Sequence, residues 1–237
     1  MDQLEKFRYS SDKLIEFLGN WAKPFEEKCE KSKDNQLRAS YYIWARYSMS
    51  IKTLRNICRI EFFPDLCVIG RCCLEFSASL QAVLSDKKAA DDYIQFEKHS
   101  KSNYYKKYLK SSGKHEKIAK AKEHLRELGV ENPDNYKWDK WCARLDGFSK
   151  LIENHKGPKE RELYSFFSDF AHGSIIAVQI LQNLQPSIEL LEKPIKLVYS
   201  DYILSTKTFL DKVWGPIITN ESEKCKREFN QVAQLFC

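Results

Sequence analysis

The sequence predicts an all-α fold, a multi-helix bundle with a lysine-rich helical arm. Only 8 of 237 residues are Gly and 7 are Pro, while 43% are hydrophobic and 13% aromatic. That composition is too apolar for disorder and too poor in turn residues for an all-β chain. Apolar residues recur at three- and four-residue steps in long blocks, the period of a helix with one buried face. The breaker clusters between blocks are short, which places consecutive helices side by side. The expected organisation is one helical domain over 1–237 with an arm or hairpin over 87–129 inserted in it.

The first helix is expected from about Asp2 to Lys31, with Leu14, Phe17, Leu18 and Trp21 as its apolar stripe and Pro24 kinking or splitting it. The second runs from about Asn35 to Glu61 and is dense in aromatics, Tyr41, Tyr42, Trp44 and Tyr47. Pro64 stands where a first-turn proline belongs and opens a helix ending near Ser85. From Lys87 to Leu128 the character turns to charged, lysine-rich helix, read as the protruding arm, broken near Ser111 to Gly113 and stopped at Gly129. Asn132 and Pro133 form an N-cap and first position for a helix holding Trp138, Trp141, Leu145 and Phe148. Gly157 and Pro158 repeat that pattern before an apolar helix from about Lys159 to Leu184. Pro194 is expected to open another helix, Trp214, Gly215 and Pro216 to end it, and a polar helix to close the chain at Ser222 to Leu235.

The charged opening MDQLEKFRYSSDK is no signal peptide, so the eight cysteines are read as thiols in a reducing, cytoplasmic setting rather than as a disulfide framework. No Cys-x-x-Cys pair occurs, and Cys67, Cys72 and Cys73 crowd into one apolar helix, where a thiol acts as a small hydrophobe. Neither metal nor cofactor is expected. No apolar run is read as long enough for a membrane span. The formal charge of +6 permits an anionic partner without demanding one.

Two helices carry polar residues that composition does not explain. In LCVIGRCCLEFSASLQAVLS, Arg71 and Glu75 are the only charges and stand one turn apart on one face. Their neighbours on that face, Cys67, Val68, Ala78 and Ala82, are small or apolar, which predicts a buried pair. Such a pair is either a structural ion pair fixing helix register or a site built around an interior charge. In KERELYSFFSDFAHGSIIAVQILQNLQ, Tyr164, Phe167, Ala171, Ser174, Val178 and Leu181 trace a core seam. Arg161, Ser165, Ser168, His172, Gln179 and Asn183 line a second stripe, which makes His172 the best acid-base candidate of the five histidines. The same stripe equally fits a satisfied histidine at a helix edge. The candidate catalytic set is therefore His172, Arg71, Glu75 and Ser168.

At these two helices the chain resembles a bacterial family called domain of unknown function 5677. The resemblance rests on RCCLE, Arg71 to Glu75, on YSFFSDFAHGS, Tyr164 to Ser174, and on a looser echo in DDYIQF, Asp91 to Phe96. It covers roughly residues 60 to 180 and implies an all-helical domain with Arg71, Glu75, Ser168 and His172 facing one another. It implies no established activity. Helical domains of this size also invite comparison with the HEPN superfamily, whose ribonuclease members carry Arg and His within a turn or two of one helix. Here Arg161 and His172 lie about 16 Å apart along their helix, so Arg71 would have to supply the charge from across the bundle.

The segment KHSKSNYYKKYLKSSGKHEKIAKAK holds nine lysines and a single acid, Glu116. Lys101, Lys106, Lys107 and Lys110 interleaved with Tyr104 and Tyr105 suit phosphate contact with base stacking, and suit an ordinary solvated helix as well. Three readings of function follow. The first is a non-catalytic interaction or binding module, in the setting of a bacterial defence or stress system. The second is a metal-independent ribonuclease or toxin using the candidate set, with the arm gripping nucleic acid. The third is a small-ligand sensor with a pocket between helices. Exposed aromatics on a bundle also make a homodimer reasonable, and no membrane partner is expected.

Overall fold

A computed structural model describes residues 3–57, 63–96, 113, 115–127, 147–172, 188–215 and 219–236. Among them every regular element is helical. The fold class follows the sequence pattern.

Helix α1, Gln3–Glu30, buries Leu14, Phe17, Leu18, Trp21, Phe25 and Cys29 at helical spacing. It continues through Pro24 without the expected split. The hydrogen bond that proline removes is offset by aromatic packing on either side of it: Trp21 meets Trp214, and Phe25 meets Trp44 and Phe209 edge-on. Helix α2, Asn35–Ile57, lays Ile43, Trp44, Tyr47, Ile51 and Leu54 into the core.

Helix α3, Phe63–Ser85, is the central element and packs against four of the other described helices. By length and composition it is apolar enough to cross a membrane, which corrects the expectation that no such run exists. Its apolar surface is spent on the bundle instead: Phe63, Leu66, Cys67, Gly70, Cys73, Leu74, Ala78, Leu80 and Val83 are all buried. Helix α4, over 87–96, corrects a second expectation. This start of the supposed arm does not protrude, because Ala90, Tyr93 and Ile94 are buried and Asn35 on α2 donates to Asp91 at 2.8 Å. Helix α5, His115–Glu127, is the exposed, charged part of that region.

Helices α6, Phe148–His155, and α7, Pro158–Ala171, form a tight hairpin. Gly157 at φ 118° makes the turn in a region other residues avoid, and Pro158 opens α7 at its first turn, as the sequence predicts. Helix α7 ends at Ala171 with His172 as its C-cap, and the remainder of the helix expected to Leu184 lies outside the described residues. Helix α8, Ile188–Trp214, contains Pro194 rather than starting at it. Ile195, Val198 and Tyr199 are buried immediately beyond that proline, and Pro194 itself lines a small apolar gap with Phe63, Leu66 and Phe167. Helix α9, Asn220–Ala233, starts at a capping box between Thr219 and Ser222 and is followed by a 3-10 turn, Gln234–Phe236. It returns to α1, where Trp21 donates to Glu228 at 2.7 Å and Phe17 meets Phe229.

Among the described residues Cys29, Cys67, Cys73 and Cys225 are buried free thiols and Cys72 is half-buried, while Cys58, Cys142 and Cys237 lie outside them. Burial pushes Cys29, Cys67 and Cys225 up to about 12 and Cys73 well above the ordinary thiol value, so they stay protonated core groups.

Candidate functional site

The hairpin lies antiparallel along α3, and three contacts order the pairing. Tyr164 donates its hydroxyl to Glu75 Oε1 at 3.0 Å. Phe167 lies over Gly70 so closely that a Cβ there would stand 2.6 Å from its ring. Arg71 reaches His172, its Nη1 and the imidazole Nε2 being 2.8 Å apart. Gly70 is thus a close-approach position: the missing side chain lets α7 settle against α3 and brings His172 within reach of Arg71.

Arg71 and Glu75 meet as their spacing predicts, Nε to Oε1 at 3.0 Å. Their depth differs from the prediction. Side-chain exposures of 25% and 19% place the pair at the rim of the bundle, not inside it. Projection along α3 finds small neighbours around them, but Val68 on that face is 39% exposed and only Cys67, Ala78 and Ala82 are covered. Arg71 also lies over the Tyr164 ring at 5.4 Å. Burial works against its charge, yet the Tyr164 and Glu75 oxygens outweigh that, and its pKa rises above the ordinary guanidinium value. Burial, followed by the charge of Glu75, likewise pushes the Tyr164 hydroxyl up, so it remains a donor.

A guanidinium has no acceptor. In its contact with Arg71, His172 Nε2 therefore takes the acceptor role. His172 is exposed at the end of α7. The result is a relay from Tyr164 to Glu75 to Arg71 to His172, held at its buried end and open to solvent at the other.

Ser168 does not join it. Its hydroxyl donates to the Tyr164 carbonyl of its own helix at 2.8 Å. Arg161, on the same stripe, pairs with Glu153 at the surface. Three of the four candidates converge, and Tyr164, read from sequence as core seam, takes the fourth place. Its double character hides it: the ring packs with the seam, at 8% exposure, while the hydroxyl serves Glu75. The candidate nucleic-acid residues Lys101, Tyr104, Tyr105, Lys106, Lys107 and Lys110 lie outside the described residues, as do Gln179 and Asn183.

Comparison with known families extends the resemblance toward the N-terminus. Residues 37–185 match a family described as "Family of unknown function (DUF5677)", a span containing all but the first two residues of α2, and α3 and the hairpin whole. The resemblance to the HEPN superfamily gains no support from that match. No curated protein and no solved structure matches the chain. With RCCLE and YSFFSDFAHGS now joined in space through Arg71, Glu75, Tyr164 and His172, and well over half its length matched, the chain belongs to the family of unknown function DUF5677.

Proposed function

We propose that this chain is a binding module that recognises a phosphate-bearing ligand, nucleic acid first among such ligands, at the exposed end of the Arg71–His172 pair. The observation that supports it is the clamped guanidinium. Glu75 fixes Arg71 through Nε, and Nη1 meets the exposed His172. An arginine oriented in this way meets a phosphate with little rotamer entropy left to lose. The net charge of +6 and the lysine- and tyrosine-rich segment from 98 to 122 favour a polyanion over a small neutral ligand.

The test is fluorescence anisotropy of a labelled single-stranded oligoribonucleotide at low salt. Wild type should bind, with affinity falling steeply as salt rises. Arg71→Ala and His172→Ala should each weaken binding by about tenfold or more. Absence of wild-type binding at low salt, or wild-type affinity in both variants, removes the proposal.

One observation favours a second, catalytic reading of the same site. At 2.8 Å, Arg71 and His172 can address a single phosphodiester together. His172 Nε2 would exchange its Arg71 contact for the proton of a ribose 2′-hydroxyl. The 2′-oxygen would attack phosphorus, Arg71 would carry the added charge, and the 5′-oxygen would leave with a proton from solvent or from the imidazolium. Such cleavage needs no metal and leaves a 2′,3′-cyclic phosphate. It is checked by incubating RNA with wild type and His172→Ala in chelator; wild-type samples in which RNA stays whole would retain the binding reading and discard the catalytic one.

A further inference from the structure

Beyond the site, the core holds a second polar cluster that none of the foregoing uses. Lys156, at the joint between α6 and α7, turns its ammonium inward and is 5% exposed. It donates to Asp201 Oδ1 at 2.6 Å and to Ser205 Oγ at 3.2 Å, both on α8. Asp201, 10% exposed, accepts from Tyr47 of α2 through its other oxygen at 3.2 Å. Ser205 meets Ser77 of α3 at 3.0 Å. Gln81, also on α3, completes the cluster. In the amide orientation that satisfies both its ends, its oxygen accepts from Lys156 at 3.2 Å and its nitrogen donates to the His155 carbonyl at 3.1 Å. Three helices and the hairpin joint are thus tied at one ammonium.

We propose that Lys156 is the positioning residue of the Arg71–His172 site, its buried ammonium setting the register of the hairpin along α3. This rests on reading that pair as the ligand site. The argument is geometric. Helix α7 starts at Pro158, directly after the joint, and ends at His172 about 21 Å further on, so it carries any axial displacement of the joint to the imidazole. Its apolar side chains, Phe167 and Phe170, resist separation from α3 far more than sliding along it, because dispersion contacts are not directional. Directional bonds between the hairpin and α3 lie at Gln81, at Glu75 and at Arg71. Of these only the first ties the hairpin to α2 and α8 as well, through the buried Lys156 ammonium and Asp201. A slip of one residue, about 1.5 Å, is enough to break the Arg71–His172 contact.

The experiment follows the His172 ring by ¹⁵N NMR, its signals identified by their loss in His172→Gln. The double variant Lys156→Met/Asp201→Leu removes both buried charges together, so neither is left stranded. A thermal melt verifies that it folds. Expected is a folded double variant whose His172 signals stand where Arg71→Ala puts them, with no further shift when Arg71→Ala is added. Gln81→Met, which leaves the ion pair whole, should move them part of the way, and decides by the same signal should the double variant not fold. Oligoribonucleotide affinity in the folded double variant should fall to the Arg71→Ala level. Wild-type His172 signals in the folded double variant, or in Gln81→Met where that variant decides, overturn the proposal. If wild type binds no oligoribonucleotide, the ligand reading fails while the ring signals still decide the role of Lys156.

Discussion

Arg71 and His172 are separated by 101 positions in sequence and by 2.8 Å in space, and Glu75 holds the arginine that joins them. Removing Glu75 strands two donors, the Arg71 Nε and the Tyr164 hydroxyl, at a half-buried position. Glu75→Ala should therefore cost about 1–3 kcal/mol, below the loss for a fully buried pair because the rim stays partly solvated. Glu75→Gln keeps an acceptor and should cost less. Urea unfolding measures both, and an unchanged midpoint in Glu75→Ala would mean solvent holds Arg71 just as well.

Gly70→Ala tests the close approach of the hairpin. The added methyl meets the Phe167 ring at 2.6 and 2.8 Å, so the ring, and α7 with it, must move outward. The expected loss is about 1–3 kcal/mol, an overpacking effect that outweighs the helix propensity gained by alanine. The same variant should weaken the Arg71–His172 contact, read from the His172 ring signals. A stabilised Gly70→Ala would show that Phe167 has room to turn aside.

Periodicity carried the fold a long way. It found α3, the hairpin joint at Gly157 and Pro158 and the final helix, because each is written locally in spacing or in turn residues. Pro24 and Pro194 misled it, since only tertiary packing keeps a helix running through a proline. At the site, the one-turn spacing of Arg71 and Glu75 was legible, and so was the candidacy of His172. Depth was not: the face of a helix can be projected from sequence, but how far the neighbouring helices cover it cannot. Lys156 and Asp201 left almost no trace for the same reason. One ends a short helix and the other sits among the polar positions of α8, and only the crossing of helices puts them 2.6 Å apart.

Thr219→Ala provides a contrast remote from the site. Its hydroxyl accepts from Ser222 N at 3.1 Å while Ser222 Oγ accepts from Thr219 N at 3.0 Å, the reciprocal cap of α9. Loss of the cap should cost about 1 kcal/mol. Urea unfolding should report that cost, and the His172 ring signals should stay at their wild-type positions. Movement of those signals would mean that α9 communicates with the hairpin.

The last prediction concerns pH and His155. Burial, and then the neighbouring Lys156 charge, hold its imidazole below the ordinary value of 6.5. The unfolded chain therefore takes up the proton at a higher pH than the folded one. Stability from this group is complete above the unfolded value and is lost as pH falls through the folded one. Unfolding in urea at about pH 7.5 and about pH 5.5 brackets the start of that loss. Wild type should lose more stability over the interval than His155→Gln, which has no proton to gain. Carboxylates held low in the folded state, such as Asp12 bonded to Arg55, cancel in the comparison because both chains carry them. Parallel losses in the two chains would place the His155 ring in water, and with it the outer edge of the Lys156 cluster.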